Sequence, residues 1–117
     1  MPSMPSKNAD LRLQEILDNI DAVREFTGQG NFDDFASDRK TLYAVVRALE
    51  IISEATRRLP AHLKCRHPEI DWVAIAASGN IYRHEYEGVD DRLIWHTVQH
   101  DLDSLRGAIA SELDRLA

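Results

Sequence analysis

At 117 residues the chain has room for one domain with a real core, and not for two. A formal net charge of −6 and a pI near 5.3 exclude a global field for nucleic acid, so RNA would need a local patch or a particular site. A single cysteine, Cys65, excludes an internal disulfide and any all-cysteine metal cage. With five Gly and four Pro, two of them at Pro2 and Pro5, the body has little turn chemistry, which favours long helices over short strands.

Residues 1–8 (MPSMPSKN) read as a flexible N-terminus ahead of a helical domain over 9–117. Asn8 or Asp10 can cap a first helix, in which Leu11, Leu13, Ile16, Leu17, Ile20, Val23 and Phe26 recur at helical spacing. That helix should stop near Thr27-Gly28-Gln29-Gly30, where Gly supplies the left-handed C-terminal conformation. Asn31 to Ser37 reads as a connector. Ser37 or Asp38 then caps a second helix whose buried stripe is Leu42, Val45, Val46, Leu49, Ile52 and Leu59, and Pro60 ends it or starts the next turn.

Residues 61–67 read as a short helix or turn, with an extended step imposed before Pro68. Asp71 is a cap for a third helix that starts at Trp72 and runs to Tyr82 or beyond. Val89-Asp90-Asp91 opens the last helix, with Leu93, Ile94, Val98, Leu102, Leu105, Ile109 and Leu113 as its apolar face. No useful period-2 alternation, repeat or low-complexity segment interrupts this pattern. The expected fold is all-α: an up-and-down bundle of four main helices plus short helical turns. Trp72, Tyr82, Trp95 and Phe26 are large side chains for so small a bundle, which fits burial between two copies, with a tightly packed monomer as the other reading. No apolar run reaches the length of a membrane span and no signal-peptide core opens the chain, so a cytoplasmic protein without membrane contact is expected.

Arg57, Arg58, His62, Lys64, Arg66 and His67 fall in one short stretch, a local basic patch of the kind nucleic acid would need, whose simpler reading is a solvated helix end. His96 and His100 lie one turn apart with Asp103 close by. Without the Glu of the metalloprotease pattern they read as a polar face, and no metal or cofactor is expected. Arg47, Glu50 and Glu54 on successive turns either line a cleft or form an exposed charge network.

The segment SGNIYRHEYEG (78–88) differs in kind. In a helix, Asn80 and His84 share a face, as do Tyr82 and Tyr86. A His in such company can move protons near neutral pH. With no nucleophilic Ser or Cys nearby and no carboxylate pair at metal spacing, acid–base chemistry is what remains. RNA cleavage, in which the substrate's own 2′-hydroxyl attacks, is one compatible reaction, and a purely structural His-Tyr cluster is the other reading.

From Val46 to Leu105 the chain resembles the HepT-like toxins of the HEPN nuclease superfamily. The resemblance runs through VRALEIISEATRRLP (46–60), HPEIDWVAIA (67–76), GNIYRHEYEGVD (79–90) and IWHTVQHDLDSL (94–105), and the opening LQEILDNIDAVREFTGQGNFDDF (13–35) also fits. It implies an all-α homodimer that cleaves RNA, including tRNA as a candidate target, without metal and without DNA as a partner. Two copies of a motif Arg-polar-x-x-x-His-x-Tyr would form one composite site. It further implies a minimal nucleotidyltransferase antitoxin as partner, which neutralises the toxin by AMP transfer to the Tyr. Carried onto this chain, Asn80 takes the polar position, His84 the acid–base position and Tyr86 the modified position. Gly79 stands where the motif has Arg. Arg83, one turn further along, is a candidate to reach back, and Arg47 and Glu54 are candidates to line the cleft. The alternative is a catalytically silent dimer that keeps the partner contact, because Gly has no side chain with which to hold a phosphate.

Overall fold

The computed structural model describes residues 5–84 and 90–117, with residues 5–8 and 80–84 described by their backbone alone. The chain order is α1 (Pro5–Thr27), α2 (Phe32–Ser37), α3 (Arg39–Arg57), α4 (Ala61–Cys65), α5 (Trp72–His84), α6 (Asp91–His96), a π-helical turn (Thr97–Asp101) and α7 (Leu102–Leu116). The last three follow without a break, so α1, α3, α5 and the α6–α7 rod are the four main helices of an all-α bundle. Among the described residues there is no strand.

The core follows from periodicity. Leu13, Ile16, Ile20 and Val23 of α1 meet Val45, Leu49 and Ile52 of α3 and Val98, Leu102, Leu105 and Ile109 of the rod, all buried. The caps also form where the side chains suggest. Gly28 takes φ +54 after α1, Asp38 accepts from the Thr41 backbone before α3, and Asp90 accepts from that of Arg92 before α6.

Three expectations need correction. The expected connector 31–37 contains a helix, because Asn31 and Asp34 form a reciprocal capping box (2.9 and 3.1 Å). Phe35 of that helix is buried against Trp95, their ring centres 5.2 Å apart, so a short segment gains a tertiary seat. The first helix begins at Pro5, ahead of both expected caps. Leu11 and Leu93, placed by periodicity on the apolar faces of their helices, are exposed, and Leu93 borders the cleft beside α5.

The basic stretch is more than a solvated end. Arg66 grips Glu112 of α7 in two-point fashion, Nη2 to Oε1 at 2.5 Å and Nε to Oε2 at 3.0 Å, and His67 Nε2 lies 2.6 Å from Oε2. Glu112 is buried, and the Arg66 hydrogen bonds, aided by His67, hold its carboxyl at about 2, against an ordinary 4.5. This cluster ties the α4 region to the end of the rod. At the other end of α7, Arg106 pairs with Asp21 (2.8 Å) and Arg24 with Asp103, joining α1 to the rod by exposed ion pairs.

Candidate active site

The helix that carries the motif is built from its start. Asp71 accepts from the Ala74 backbone N–H at 3.1 Å and so caps α5. The Trp72 indole N–H is shared between the carbonyls of Lys64 and His67, each at 3.0 Å, which anchors the first turn of α5 to the α4 region. From there α5 lies along α3, the helix on which most of its packing occurs.

Contact with α3 is polar at one point. The Ser53 hydroxyl donates to the Ala76 carbonyl at 2.9 Å and accepts from the Gly79 backbone N–H at 3.0 Å. Both Ser53 and Gly79 are buried. One turn further along α3, Arg57 Nη2 donates to the same Ala76 carbonyl at 3.0 Å. Gly79 therefore sits where α5 is stitched to α3 through its backbone.

The sequence candidates divide accordingly. Gly79, Asn80, Arg83 and His84 share the last turns of α5, and for Asn80, Arg83 and His84 the backbone placement is what is described. Tyr86 lies outside the described residues. Arg47 and Glu54 line a groove between α1 and α3 with Arg12, Glu15, Glu50 and Arg58. Arg47 is paired there with Glu50 at 3.6 Å, and Glu54 with Arg58 at 3.1 Å and Arg57 at 3.7 Å. The sequence gives Ser53 no role and places Arg57 only in the basic stretch. The available signal was a Ser inside the apolar stripe EIISEAT, with a cation one turn later.

On its other flank α5 borders an apolar cleft of about 230 Å³, whose walls include Leu49 and Ile52 of α3, Ile75 and Ser78 of α5, and Leu105 of α7. The π-helical turn faces this cleft through Thr97 and Asp101. His96 and His100 stack across it with ring centres 4.5 Å apart, and the carboxylate considered as their companion ligand, Asp103, is held by Arg24. Among the described residues no three His, Cys, Asp or Glu side chains converge as metal ligands. Nor is any described helix long and apolar enough to cross a membrane.

Comparison with known proteins fits this architecture. The family model for "Ribonuclease HepT-like" matches residues 16–111. A protein of Thermococcus cleftensis named "Probable ribonuclease HepT" is 45% identical over 95 residues, 81% of this chain and 86% of that protein. "Putative RNase MJ0127" of Methanocaldococcus jannaschii is 36% identical over 95 residues, 81% of this chain and 78% of that protein. "Putative RNase TTE0752" of Caldanaerobacter subterraneus is 33% identical over 103 residues, 88% of this chain and 92% of that protein. No solved structure matches at a significant level. With its four-helix frame and with the Asn80 and His84 positions on one helix, the chain belongs to the HepT-like ribonuclease family.

Proposed function

We propose that this protein is a metal-independent endoribonuclease of the HepT toxin type. Its cleft is formed by the α5 helices of two copies, and it is silenced by a nucleotidyltransferase antitoxin that transfers AMP to Tyr86. The observation that carries the reading is the placement of Asn80 and His84 one turn apart near the end of α5, in a chain of this family. Further support is the outward side of that helix: Val73 is 81% exposed, and Ala74 and Ala77 are exposed beside it. An apolar strip of that kind next to the motif suits a second copy of the same helix.

In this reading the 2′-hydroxyl of RNA attacks the adjacent phosphodiester and displaces the 5′-oxygen. His84 of one copy takes the 2′ proton and His84 of the other returns one to the leaving oxygen. Asn80 orients the phosphate through neutral hydrogen bonds. Developing charge on the non-bridging oxygens calls for a cation, the duty that Gly79 cannot perform.

The test compares RNA cleavage in EDTA by the chain itself, by Gly79→Arg, and by each with His84→Ala. Cleavage that His84→Ala abolishes supports the reading. A parent chain and a Gly79→Arg variant that are both folded, dimeric and inert on diverse RNAs, tRNA included, would overturn it. The second reading, a silent dimer that binds its partner without chemistry, is favoured by one observation: position 79 offers only a backbone N–H, already bonded to Ser53.

A further inference from the structure

A cation stands beside α5 that the motif does not contain. Arg57 reaches from the end of α3 to the Ala76 carbonyl at 3.0 Å. A helical carbonyl at position 76 points along the axis toward residue 80. The guanidinium therefore flanks the turn that leads into Gly79 and Asn80. The Ser53 hydroxyl shares the same carbonyl and also holds the Gly79 N–H, so Arg57, Ala76, Ser53 and Gly79 form one short hydrogen-bonded chain.

Arg57 is also available. Its side chain is 44% exposed, and one of its five N–H donors is used on Ala76. Its carboxylate neighbour, Glu54, lies 3.7 Å from Nη1 and is held more closely by Arg58 at 3.1 Å, so one carboxylate faces two guanidinium groups. Lys64 joins Arg57 in the wall of a shallow cleft floored by Trp72, Ala76 and Ala77. Two cations thus border α5 on the side of its Ala76 carbonyl.

We propose that Arg57 is the phosphate-binding residue of this ribonuclease site. From α3 it supplies the guanidinium that the HepT motif carries at the position of Gly79. The ligand is the phosphodiester of RNA, and the proposal rests on the ribonuclease reading above. The bond to Ala76 restricts the Arg57 side chain before substrate arrives, and a planar guanidinium fixed in that way can engage two phosphate oxygens together.

The experiment measures kcat, KM and their salt dependence for RNA cleavage in EDTA by the full chain. The variants are Arg57→Ala, Arg57→Gln, Gly79→Arg, Gly79→Arg with Arg57→Ala, and His84→Ala. The parent chain should cleave, and His84→Ala should not. Arg57→Ala should lose ~100-fold or more in kcat/KM, as loss of a charge-stabilising donor typically does. Its salt slope should become shallower by about one unit, the signature of a lost phosphate contact. Arg57→Gln, which keeps a polar side chain and removes the charge, should stay folded and lose the activity. Gly79→Arg should restore cleavage in the Arg57→Ala background. A residue that merely held α5 in place would lower the unfolding midpoint, leave the salt slope unchanged and not be rescued from position 79. Cleavage by folded Arg57→Gln at the parent rate overturns this proposal and leaves the ribonuclease reading intact. So does an inert parent chain that becomes active as Gly79→Arg. Inertness of both the parent and Gly79→Arg removes the two together.

Discussion

The Ser53 hydroxyl and the Gly79 backbone N–H lie 3.0 Å apart in the interior, and the same hydroxyl donates to Ala76 at 2.9 Å. This buried hydroxyl both donates and accepts, and its removal takes an acceptor from the Gly79 N–H and leaves the Ala76 carbonyl to Arg57 alone among the side chains. Ser53→Ala should therefore destabilise the protein by about 1–3 kcal/mol. Urea unfolding checks the magnitude, and hydrogen exchange should locate the loss in α5. Unchanged protection at Gly79 would show that the stitch does not hold the helix.

Glu112 makes stability depend on acid. Its carboxyl is held at about 2 in the folded protein, chiefly by the Arg66 hydrogen bonds, against 4.5 when free. The folded value is the lower one, so the contribution is present above the free value and is lost as pH falls from 4.5 toward 2. Its size is on the order of 3 kcal/mol. Urea midpoints taken at successive pH values should drop steeply over that window in the parent chain. In Glu112→Gln the drop should be smaller, with stability already reduced at pH 7. Equal acid sensitivity in both proteins would rule out this carboxylate as the cause.

Val73 tests the proposed pairing of two α5 helices. It is 81% exposed and occupies the second position of the helix, where an acidic residue suits the N-terminal end of the dipole. Val73→Asp should leave the fold within about 0.5 kcal/mol of the parent. The same charge buried in a dimer interface should shift the protein to monomer in light scattering at micromolar concentration. A variant that stays dimeric excludes this strip from the interface.

Tyr86 tests the regulatory half of the proposed function. Incubated with ATP and a minimal nucleotidyltransferase antitoxin, the chain should gain AMP on the peptide that contains Tyr86. Tyr86→Phe should remove that gain, and the modified parent should lose RNA cleavage. Mass spectrometry finding the same gain in Tyr86→Phe would move the modification elsewhere.

Much of the fold was legible because it depends on local rules. Period-3.6 stripes placed α1, α3 and the rod, the Asp71 cap placed α5, and Asp38, Asp90 and Gly28 marked the other ends through bonds made within a few residues. The α2 helix is less legible because part of what holds it is distant: the Asn31–Asp34 box is in the sequence, but the Phe35–Trp95 contact joins segments far apart in the chain. The exposure of Leu11 and Leu93 has a related reason, since a stripe tells which face is apolar and not how far its neighbours extend.

The sequence by itself determined the helical class and the family, and it supplies the spacing of Gly79, Asn80, His84 and Tyr86 on which the proposed site rests. These rest on residue identity and on spacing along one helix. Only the tertiary structure decided which charges meet. It turned the basic stretch into two different devices, Arg66 and His67 around buried Glu112, and Arg57 on the backbone of α5. It also placed Arg47 and Glu54 in the groove between α1 and α3. The physical reason is reach: a long cation on a helix can serve any neighbour within several ångströms, and helix packing, not spacing, selects which one.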